Sequence, residues 1–373
     1  MRLLYGVQAT GNGHISRARA LRHHLAQAGC QIDFLFSGRA ADRLFDMAEF
    51  GQFQLRRGLS FVSQAGQVQL WQTARQADLP QLWQDIKQLN TRRYDLVLTD
   101  YEPVTAWAAR RQGTPVLALG HQYGLQQPVP LDGFDWWQRR LLANFAPARQ
   151  QIGLHWHHFG SSASDRRVIV PPVVHLTTSA TAQTDPQDDF VLVYLPFESQ
   201  ADILRWLAPL RSWRFKVYGV GALDSELAHL CFMPASVQGF QQDLQRCTAV
   251  ISNAGFELIS ESLQLKKKIL VKPLQGQPEQ SANAAALQRL KLADSSAALS
   301  SAVIENFLSH YQVKVQAHYP DVAAAISRWL LTGQWYDVSP LAALWQQVQF
   351  SPSAPLQPAA QTQSLAQVHQ KRA

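Results

Sequence analysis

Residues 249–287 read AVISNAGFELISESLQLKKKILVKPLQGQPEQSANAAAL, and this stretch decides the fold class. An apolar run at 249–251 stops at the tetrapeptide SNAG, and a helical pattern follows it. A second apolar run at 269–271 stops at Pro273, before another helix that starts near Glu279. Short apolar runs that alternate with helical patterns indicate successive strands and helices. The stretch therefore predicts one strand–helix–strand–helix unit of an α/β protein.

The loops of this unit carry small and polar residues that suit a nucleotide sugar. A helix that opens on Asn253-Ala254-Gly255 presents free backbone N–H groups and the positive end of its dipole to an anion. Carboxylates and amides suit sugar hydroxyls, because both form paired hydrogen bonds. We therefore expect a diphosphate site beside groups that bind hydroxyls. The candidate donor-binding residues in this unit are Ser252, Asn253, Ala254, Gly255, Glu261, Gln275, Glu279, Gln280 and Asn283.

The N-terminal residues predict a second unit of the same kind. A strand at 3–8 leads into a Gly-rich loop with Gly11 and Gly13, and a helical pattern starts after His14. The loop is not a dinucleotide fingerprint, since a third glycine is missing at the required offset. We include Gly11 and Gly13 among the candidate donor-binding residues.

Polar residues follow two further predicted strands of the N-terminal half. The strand at 95–99 ends at Asp100, with Glu102 two residues on, and the strand at 115–119 ends at Gly120-His121. The carboxyl ends of parallel strands face the ligand crevice of an open α/β sheet. We therefore expect His14, Asp100 together with Glu102, and His121 to lie along one rim.

Alternation of strands and helices in both halves predicts α/β architecture with two doubly wound sheets. Two domains are expected, at residues 1–176 on the acceptor side and 190–350 on the nucleotide-sugar side. A polar segment at 177–189 is the predicted linker, and the Pro-, Ala- and Gln-rich residues 351–373 are predicted to be a disordered tail.

Two motifs carry a resemblance to a known group of enzymes. GNGHISRA at 11–18 and SNAGFELISE at 252–261 resemble the MurG-like group (family 28) of GT-B glycosyltransferases and, closer still, a poorly characterised family related to it. The resemblance covers roughly residues 1–330 and implies two Rossmann-like domains facing across a cleft. It also implies that Glu261 binds the ribose hydroxyls and that Glu279 and Gln280 contact the transferred sugar, with Asn283 at the family's offset.

The chemistry expected from this resemblance is inverting transfer from a nucleoside diphosphate sugar, with a UDP-sugar as the expected donor, to an unknown hydroxyl acceptor. His14 is the preferred catalytic base, because imidazole has an ordinary pKa of about 6.5 and accepts a proton near neutral pH. Asp100 and His121 are alternative bases, and each can instead orient His14 or bond within its loop. A UDP-sugar 2-epimerase and a non-catalytic nucleotide-sugar-binding protein remain alternative functions.

No metal or cofactor is expected, since no Asp-x-Asp follows a predicted strand and the nucleotide sugar is itself the donor substrate. The group HWHH at 155–158 invites a zinc interpretation. In a strand, His155 and His157 would share one face, but no third ligand is evident, so ordinary packing or acceptor contact is the other interpretation.

Composition bounds the partners and the compartment. The 373 residues carry a formal net charge of +7, which suits an anionic ligand or membrane surface and gives no ground for a nucleic-acid partner. The three cysteines fit no metal-ligand spacing, and no targeting segment or membrane-length apolar run is visible, so a cytoplasmic protein is expected.

An aromatic and basic segment at 132–150, DGFDWWQRRLLANFAPARQ, leaves two interpretations open. It is either an interfacial helix that contacts the inner face of the membrane or a lipid-linked acceptor, or a helix whose apolar face packs on the core. A polysaccharide acceptor is also compatible with the sequence.

Overall fold

A computed structural model describes residues 1–59, 63–64, 67–68, 78–126, 135–176, 189–219 and 227–352. These residues form two parallel sheets flanked by helices, which confirms the predicted GT-B-like α/β class. The linker predicted at 177–189 lies outside the described residues except for Asp189, and so does residue 353 onward.

The first sheet has seven parallel strands in the order β3-β2-β1-β4-β5-β6-β7. Their bounds are β1 Arg2–Gln8, β2 Gln31–Ser37, β3 Phe53–Arg56, β4 Leu96–Asp100, β5 Val116–Gly120, β6 Gln150–Leu154 and β7 Arg167–Val170. The central strands are buried on both faces, as a parallel sheet covered by helices requires. The short strands Ser63–Gln64 and Gln67–Val68 pair separately.

In the described ranges, α-helices connect these strands. They are α1 Asn12–Gln27, α2 Leu79–Gln88, α3 Pro103–Gln112, α4 His121–Gly124 and α5 Trp136–Phe145. Helix α3 begins where it does because the buried Glu102 carboxylate accepts hydrogen bonds from the Val104 and Thr105 backbone N–H groups. Glu102, expected at the crevice rim, is therefore the cap of this helix.

The second sheet has six parallel strands in the order β10-β9-β8-β11-β12-β13. The strands are β8 Val191–Tyr194, β9 Phe215–Tyr218, β10 Leu230–Phe232, β11 Ala249–Asn253, β12 Lys268–Lys272 and β13 Asp294–Ser295. The helices of this half are α6 Gln200–Leu207, α7 Val237–Arg246, α8 Phe256–Gln264, α9 Pro278–Leu290 and α10 Ser301–His310. The unit predicted from residues 249–287 is therefore present as β11-α8-β12-α9.

Both sheets reverse their strand order at a switch point, between β1 and β4 in the first and between β8 and β11 in the second. Ligands of open α/β sheets bind in the crevice at such points, because the loops on either side run in opposite directions. His14 lies in the first turn of α1, just after β1, Asp100 is the last residue of β4, and Gly255 follows β11. The fold thus brings both motifs to crevices.

The C-terminal segment returns to the first sheet. Helix α11, Val322–Leu331, packs on α1 and joins its hydrophobic core through Ile326 and Leu330, near Leu21. Helix α12, Ser339–Ala342, follows. A final antiparallel pair joins β14 Val315–His318 to β15 Gln349–Pro352. Residues 351–352, predicted as the start of the tail, therefore still belong to a strand, because β14 supplies their backbone partners.

Several local predictions were wrong. The strand expected near 236–238 is instead the start of α7, because the Ser236 hydroxyl accepts from the Gly239 N–H and caps the helix. Of the helix expected at 70–89, residues 70–77 lie outside the described ranges, and the described part forms α2 from Leu79, after the Asp78 cap. Pro80 occupies the first turn of α2, where a missing N–H costs nothing.

The histidine group does not lie in a strand, since β6 ends at Leu154. His155 is buried, and the segment that follows it turns away from the sheet. Helices in the described ranges are all too short or too polar to cross a membrane.

Candidate active site

His14 and Asp100 form a hydrogen-bonded pair at the first switch point. The His14 Nδ1 atom lies 2.7 Å from the Asp100 Oδ1 atom. Asp100 is fully buried, whereas the His14 side chain keeps 12% of its surface exposed. Because the carboxylate accepts from Nδ1–H, it favours the tautomer whose Nε2 is the proton acceptor. His14 Nε2 makes no hydrogen bond within the described part of the chain, so it is available to a substrate.

Arg17 lies on the other side of Asp100 and was not predicted. Its Nη1 is 3.2 Å from Asp100 Oδ1, close enough for an ion pair but misaligned for a hydrogen bond. Its Nη2 donates to the Glu257 carboxylate of α8. Burial acts to lower the pKa of the Arg17 guanidinium, but Asp100 and Glu257 outweigh burial and raise the pKa overall. Arg17 is therefore a buried cation between two carboxylates.

Gly13 lets the two halves approach each other closely. A Cβ atom at Gly13 would overlap the Glu257 carboxylate. Glu257 occupies the first turn of α8, and the preceding Gly255 provides no side-chain cap. The helix N-terminus predicted to hold a diphosphate therefore faces the loop of Gly11 and Gly13, with one carboxylate beside it.

Glu261 lies in the same contact between the halves. It is buried, with one oxygen 3.0 Å from the Ser16 hydroxyl and the other 3.1 Å from the Gln241 amide nitrogen, and both of these groups donate to it. Burial raises the pKa of Glu261 to about 8, although both hydrogen bonds oppose the shift. The carboxyl is thus placed to accept from hydroxyl groups, and Ser16 supplies one.

The predicted residues of α9 also contact the first half. Glu279 accepts from the Gln122 amide at 3.2 Å, across the cleft. The Gln280 side-chain oxygen accepts from the Leu274 N–H at 2.8 Å, which fixes the loop before the helix. Gln275 lies in this same loop. The polar groups predicted to contact the sugar thus border one cleft. Those that face the first half have hydrogen-bond partners there while the halves are in contact.

His121 has a different environment from His14. Its Nδ1 lies 2.9 Å from the Leu154 carbonyl, its Nε2 lies 2.6 Å from the Asn283 side-chain oxygen, and its ring stacks on Phe256 with 4.0 Å between centroids. Asn283 in turn donates to the Ala254 carbonyl at 2.9 Å. The structure brings His121 and Asn283 together as a contact between the halves, and both ring nitrogens of His121 are occupied.

The side chains of Ser252 and Asn253 support the end of β11. The Ser252 hydroxyl donates to the Asn253 carbonyl, and the Asn253 amide donates to the Lys272 carbonyl at 3.0 Å. Lys272 itself forms a buried ion pair with Glu198 at 2.6 Å. In this segment, the groups left for an anion are therefore the backbone N–H groups at the start of α8.

Buried polar atoms without a hydrogen-bond partner concentrate around the cleft. Native proteins pair nearly all buried polar atoms, so each exception needs a physical explanation such as a ligand, an ordered water or local strain. In the described ranges, those at the cleft are Arg17 Nε and Nη1, Gln122 Oε1, Gln241 Oε1, Asn253 Oδ1 and Gln277 Oε1.

A metal site is not evident in the described ranges, which contain no group of three or more His, Cys, Asp and Glu side chains placed to hold an ion. The His155 ring accepts from the His157 N–H at 3.3 Å, and burial lowers the pKa of His155 well below its usual range. His155 thus packs as a neutral ring in the described structure.

Two Rossmann-like sheets, with a His–Asp pair at the switch point of the first, have the architecture of the GT-B fold. A family model described as glycosyl transferase family 1 matches residues 1–312, so the chain belongs to that family and is a nucleotide-sugar glycosyltransferase. The GT-B class implied by the two motifs is thereby confirmed. Membership of the MurG-like group stays a prediction. Among curated proteins, no sequence matches the chain.

Solved structures share the fold at low sequence identity. Spinosyn forosaminyltransferase SpnP superposes with a TM-score of 0.56 at 13% identity, covering 91% of this chain and 97% of its own. The glycotransferase of kitacinnamycin has a TM-score of 0.56 at 15% identity, with 93% and 97% covered. The calicheamicin glycosyltransferase CalG4 has a TM-score of 0.54 at 15% identity, with 93% and 96% covered.

Sequence reasoning missed Arg17, Glu257, Ser16 and Gln122. Arg17 and Ser16 lie inside the motif GNGHISRA, and Glu257 lies inside SNAGFELISE, so the motifs marked the right segments. A charged residue in the first turn of the predicted anion-binding helix was the available signal for Glu257. No local pattern marked Gln122 as a partner of Glu279.

Proposed function

We propose that the protein transfers a sugar from a UDP-sugar to a hydroxyl acceptor, with inversion at the anomeric carbon and without a metal ion. His14 is the catalytic base in this reaction. The observation that carries the proposal is the 2.7 Å contact between His14 Nδ1 and Asp100 Oδ1 at the first switch point. The pair leaves His14 Nε2 without a partner in the described ranges, and Glu261 and the start of α8 lie in the opposite half of the molecule.

The reaction balances with the groups at hand. The acceptor hydroxyl gives its proton to His14 Nε2 while its oxygen attacks the anomeric carbon from the face opposite the diphosphate. The bond from the anomeric carbon to the diphosphate oxygen breaks, and UDP leaves with that electron pair. Asp100 stabilises the imidazolium that forms. The N–H groups and dipole at the start of α8 stabilise the negative charge that develops on the diphosphate.

Donor binding in this proposal uses groups that now bond across the cleft. Glu261 exchanges the Ser16 hydroxyl for ribose hydroxyls, and Glu279 exchanges Gln122 for hydroxyls of the sugar. The exchange replaces one hydrogen bond by another of similar kind, so its net cost is small. The two halves must separate before the donor enters.

The decisive experiment is calorimetric binding of UDP and several UDP-sugars to wild type, Glu261→Ala and the control Glu305→Ala, which changes an exposed glutamate of α10. We expect micromolar binding of UDP that is lost in Glu261→Ala and retained in the control. If no uridine nucleotide binds, the UDP donor is wrong. Stoichiometric release of UDP with an acceptor separates transfer from 2-epimerisation and from binding alone.

We further propose a lipid-linked acceptor approached through α5. Trp136 and Leu141 on this helix are 77% and 60% exposed, and Arg139 and Arg140 are exposed beside them. Exposed aromatic and basic residues on one helix suit the headgroup region of an anionic membrane. We expect Trp136→Ser to weaken binding to phosphatidylserine vesicles, and the control Trp83→Ser, at another exposed tryptophan, to leave it unchanged. Equal binding by both variants would remove the membrane proposal.

A further inference from the structure

Arg17 is the one buried cation in contact with both the His14–Asp100 pair and the opposite half of the molecule, within the described ranges. We propose that Arg17 is a positioning residue that couples contact between the two halves to the proton affinity of His14. The inference rests on the proposed function only in taking His14 as the base.

His14 and Arg17 share one carboxylate oxygen of Asp100. Asp100 Oδ1 lies 2.7 Å from His14 Nδ1 and 3.2 Å from Arg17 Nη1. The second oxygen lies 3.4 Å from the Tyr5 hydroxyl, which donates to it. Arg17 therefore neutralises part of the charge on the same oxygen that accepts from His14, and it affects the imidazole ring through this single atom.

Residue 120 permits this arrangement. A Cβ atom at Gly120 would lie 3.1 Å from Arg17 Nη1 and 3.4 Å from Asp100 Oδ1, and its φ of +156° is one that other residues rarely adopt. The guanidinium reaches Asp100 because β5 ends in a residue without a side chain.

Carboxylates from both halves act on Arg17. They are Asp100 on β4, Glu257 on α8 and Glu279 on α9, whereas the Tyr5 hydroxyl on β1 stays neutral because burial raises its pKa well above the usual value. Only Tyr5 and Asp100 belong to the same half as Arg17. The Glu257 carboxylate bonds directly to Arg17 Nη2, so it offsets the charge of the guanidinium only while the halves are in contact.

The proton affinity of His14 therefore depends on contact between the two halves. With Glu257 in place, Asp100 acts on His14 with most of its negative charge. With the halves apart, no Glu257 carboxylate offsets the charge of Arg17. The guanidinium then neutralises more of the charge on Asp100 and disfavours the imidazolium form of His14, because opposite charges stabilise an ionised group and like charges destabilise it. Proton abstraction is thus favoured once the cleft has closed.

The test is a ring-proton NMR titration of His14 in the full chain, with its signal identified by loss in His14→Gln. We expect Glu257→Gln to move the titration midpoint down by about 0.5–1 pH unit, and Arg17→Met to move it up by a similar amount. The double variant Arg17→Met/Glu257→Gln should return near the wild-type midpoint. Glu49→Gln is the matched control, since it removes the carboxylate partner of Arg19, another arginine of α1.

Opposite shifts that cancel in the double variant support the coupling, because a purely structural defect would not change sign between the two variants. An unchanged midpoint in Glu257→Gln would overturn the coupling. This variant keeps the shape of a side chain that is only 15% exposed, so it still tests the proposal if Arg17→Met fails to fold. The titration needs no donor. Midpoints that shift in a protein that binds no UDP would reject the proposed donor and retain the coupling.

Discussion

His14 and His121 each follow a strand of the first sheet at its carboxyl edge, yet their surroundings differ in kind. His14 has a buried carboxylate on one ring nitrogen and an open second nitrogen. His121 has a carbonyl on one nitrogen and the Asn283 side chain on the other. Position at a strand end decides where a histidine lies, and its partners decide whether it can exchange a proton. The following experiments test whether the two residues divide chemistry and assembly in this way.

The largest effect is expected for His14→Ala. Removing a general base lowers a rate by about 10²–10⁴-fold, so UDP release from a donor that binds should fall by that factor while UDP affinity stays within about threefold. Initial-rate measurements with water or a screened hydroxyl acceptor provide the comparison. A rate within tenfold of wild type would show that His14 is not the base.

Asp100→Asn should lower the same rate by about 10²-fold, because an amide at this position no longer favours the imidazolium that forms on His14. Circular dichroism before and after heating checks that the variant is folded. If Asp100→Asn is partly unfolded but its folded fraction keeps normal activity, Asp100 stabilises the structure, as His121 does, and takes no part in proton transfer.

Glu261 extends the comparison to a carboxyl that accepts from both halves. Its pKa is raised from 4.5 to about 8. Between these values the unfolded chain is ionised while the folded protein keeps the proton, so the free energy of unfolding falls as pH rises and levels off above about 8. Urea unfolding of Glu261→Gln should show a stability gain over wild type that grows by about 2 kcal/mol from pH 5 to pH 7. Parallel pH curves for the two proteins would contradict the raised pKa.

The smallest effect is expected for His121→Gln, whose amide can still donate to one of the two acceptors, the Leu154 carbonyl or the Asn283 oxygen, but which loses the ring stacked on Phe256. We expect a loss of about 1–2 kcal/mol in the free energy of unfolding, since one buried hydrogen bond and one aromatic contact are weakened. The pH dependence of the remaining activity should keep its wild-type midpoint. A shifted midpoint would return His121 to the list of candidate bases.

The sequence was sufficient for the fold because the decisive signals are local. The alternation of apolar runs and helical patterns at 249–287 needs no distant partner, and both sheets follow from repeating it. The error at Ser236 is also local, since a serine before an apolar stretch fits a helix cap as well as a strand. Position along a strand similarly placed Asp100 beside His14.

The contacts that define the site could not be predicted in the same way. Arg17 and Glu257 are separated by 240 residues, and Ser16 and Glu261 by 245, so no window of sequence contains either pair. Their roles depend on how closely the halves approach, which Gly13 permits at one point. A motif search marks such residues as neighbours of a site and leaves their charge partners unknown.

The return of α11 onto α1 means that the chain passes between the halves twice, once through residues 177–189 and once before Val322. Two covalent crossings restrain the relative motion of the halves more than one crossing would. We therefore expect an opening that admits a donor to keep the halves in register, so that closure returns Glu257 to the Arg17 guanidinium.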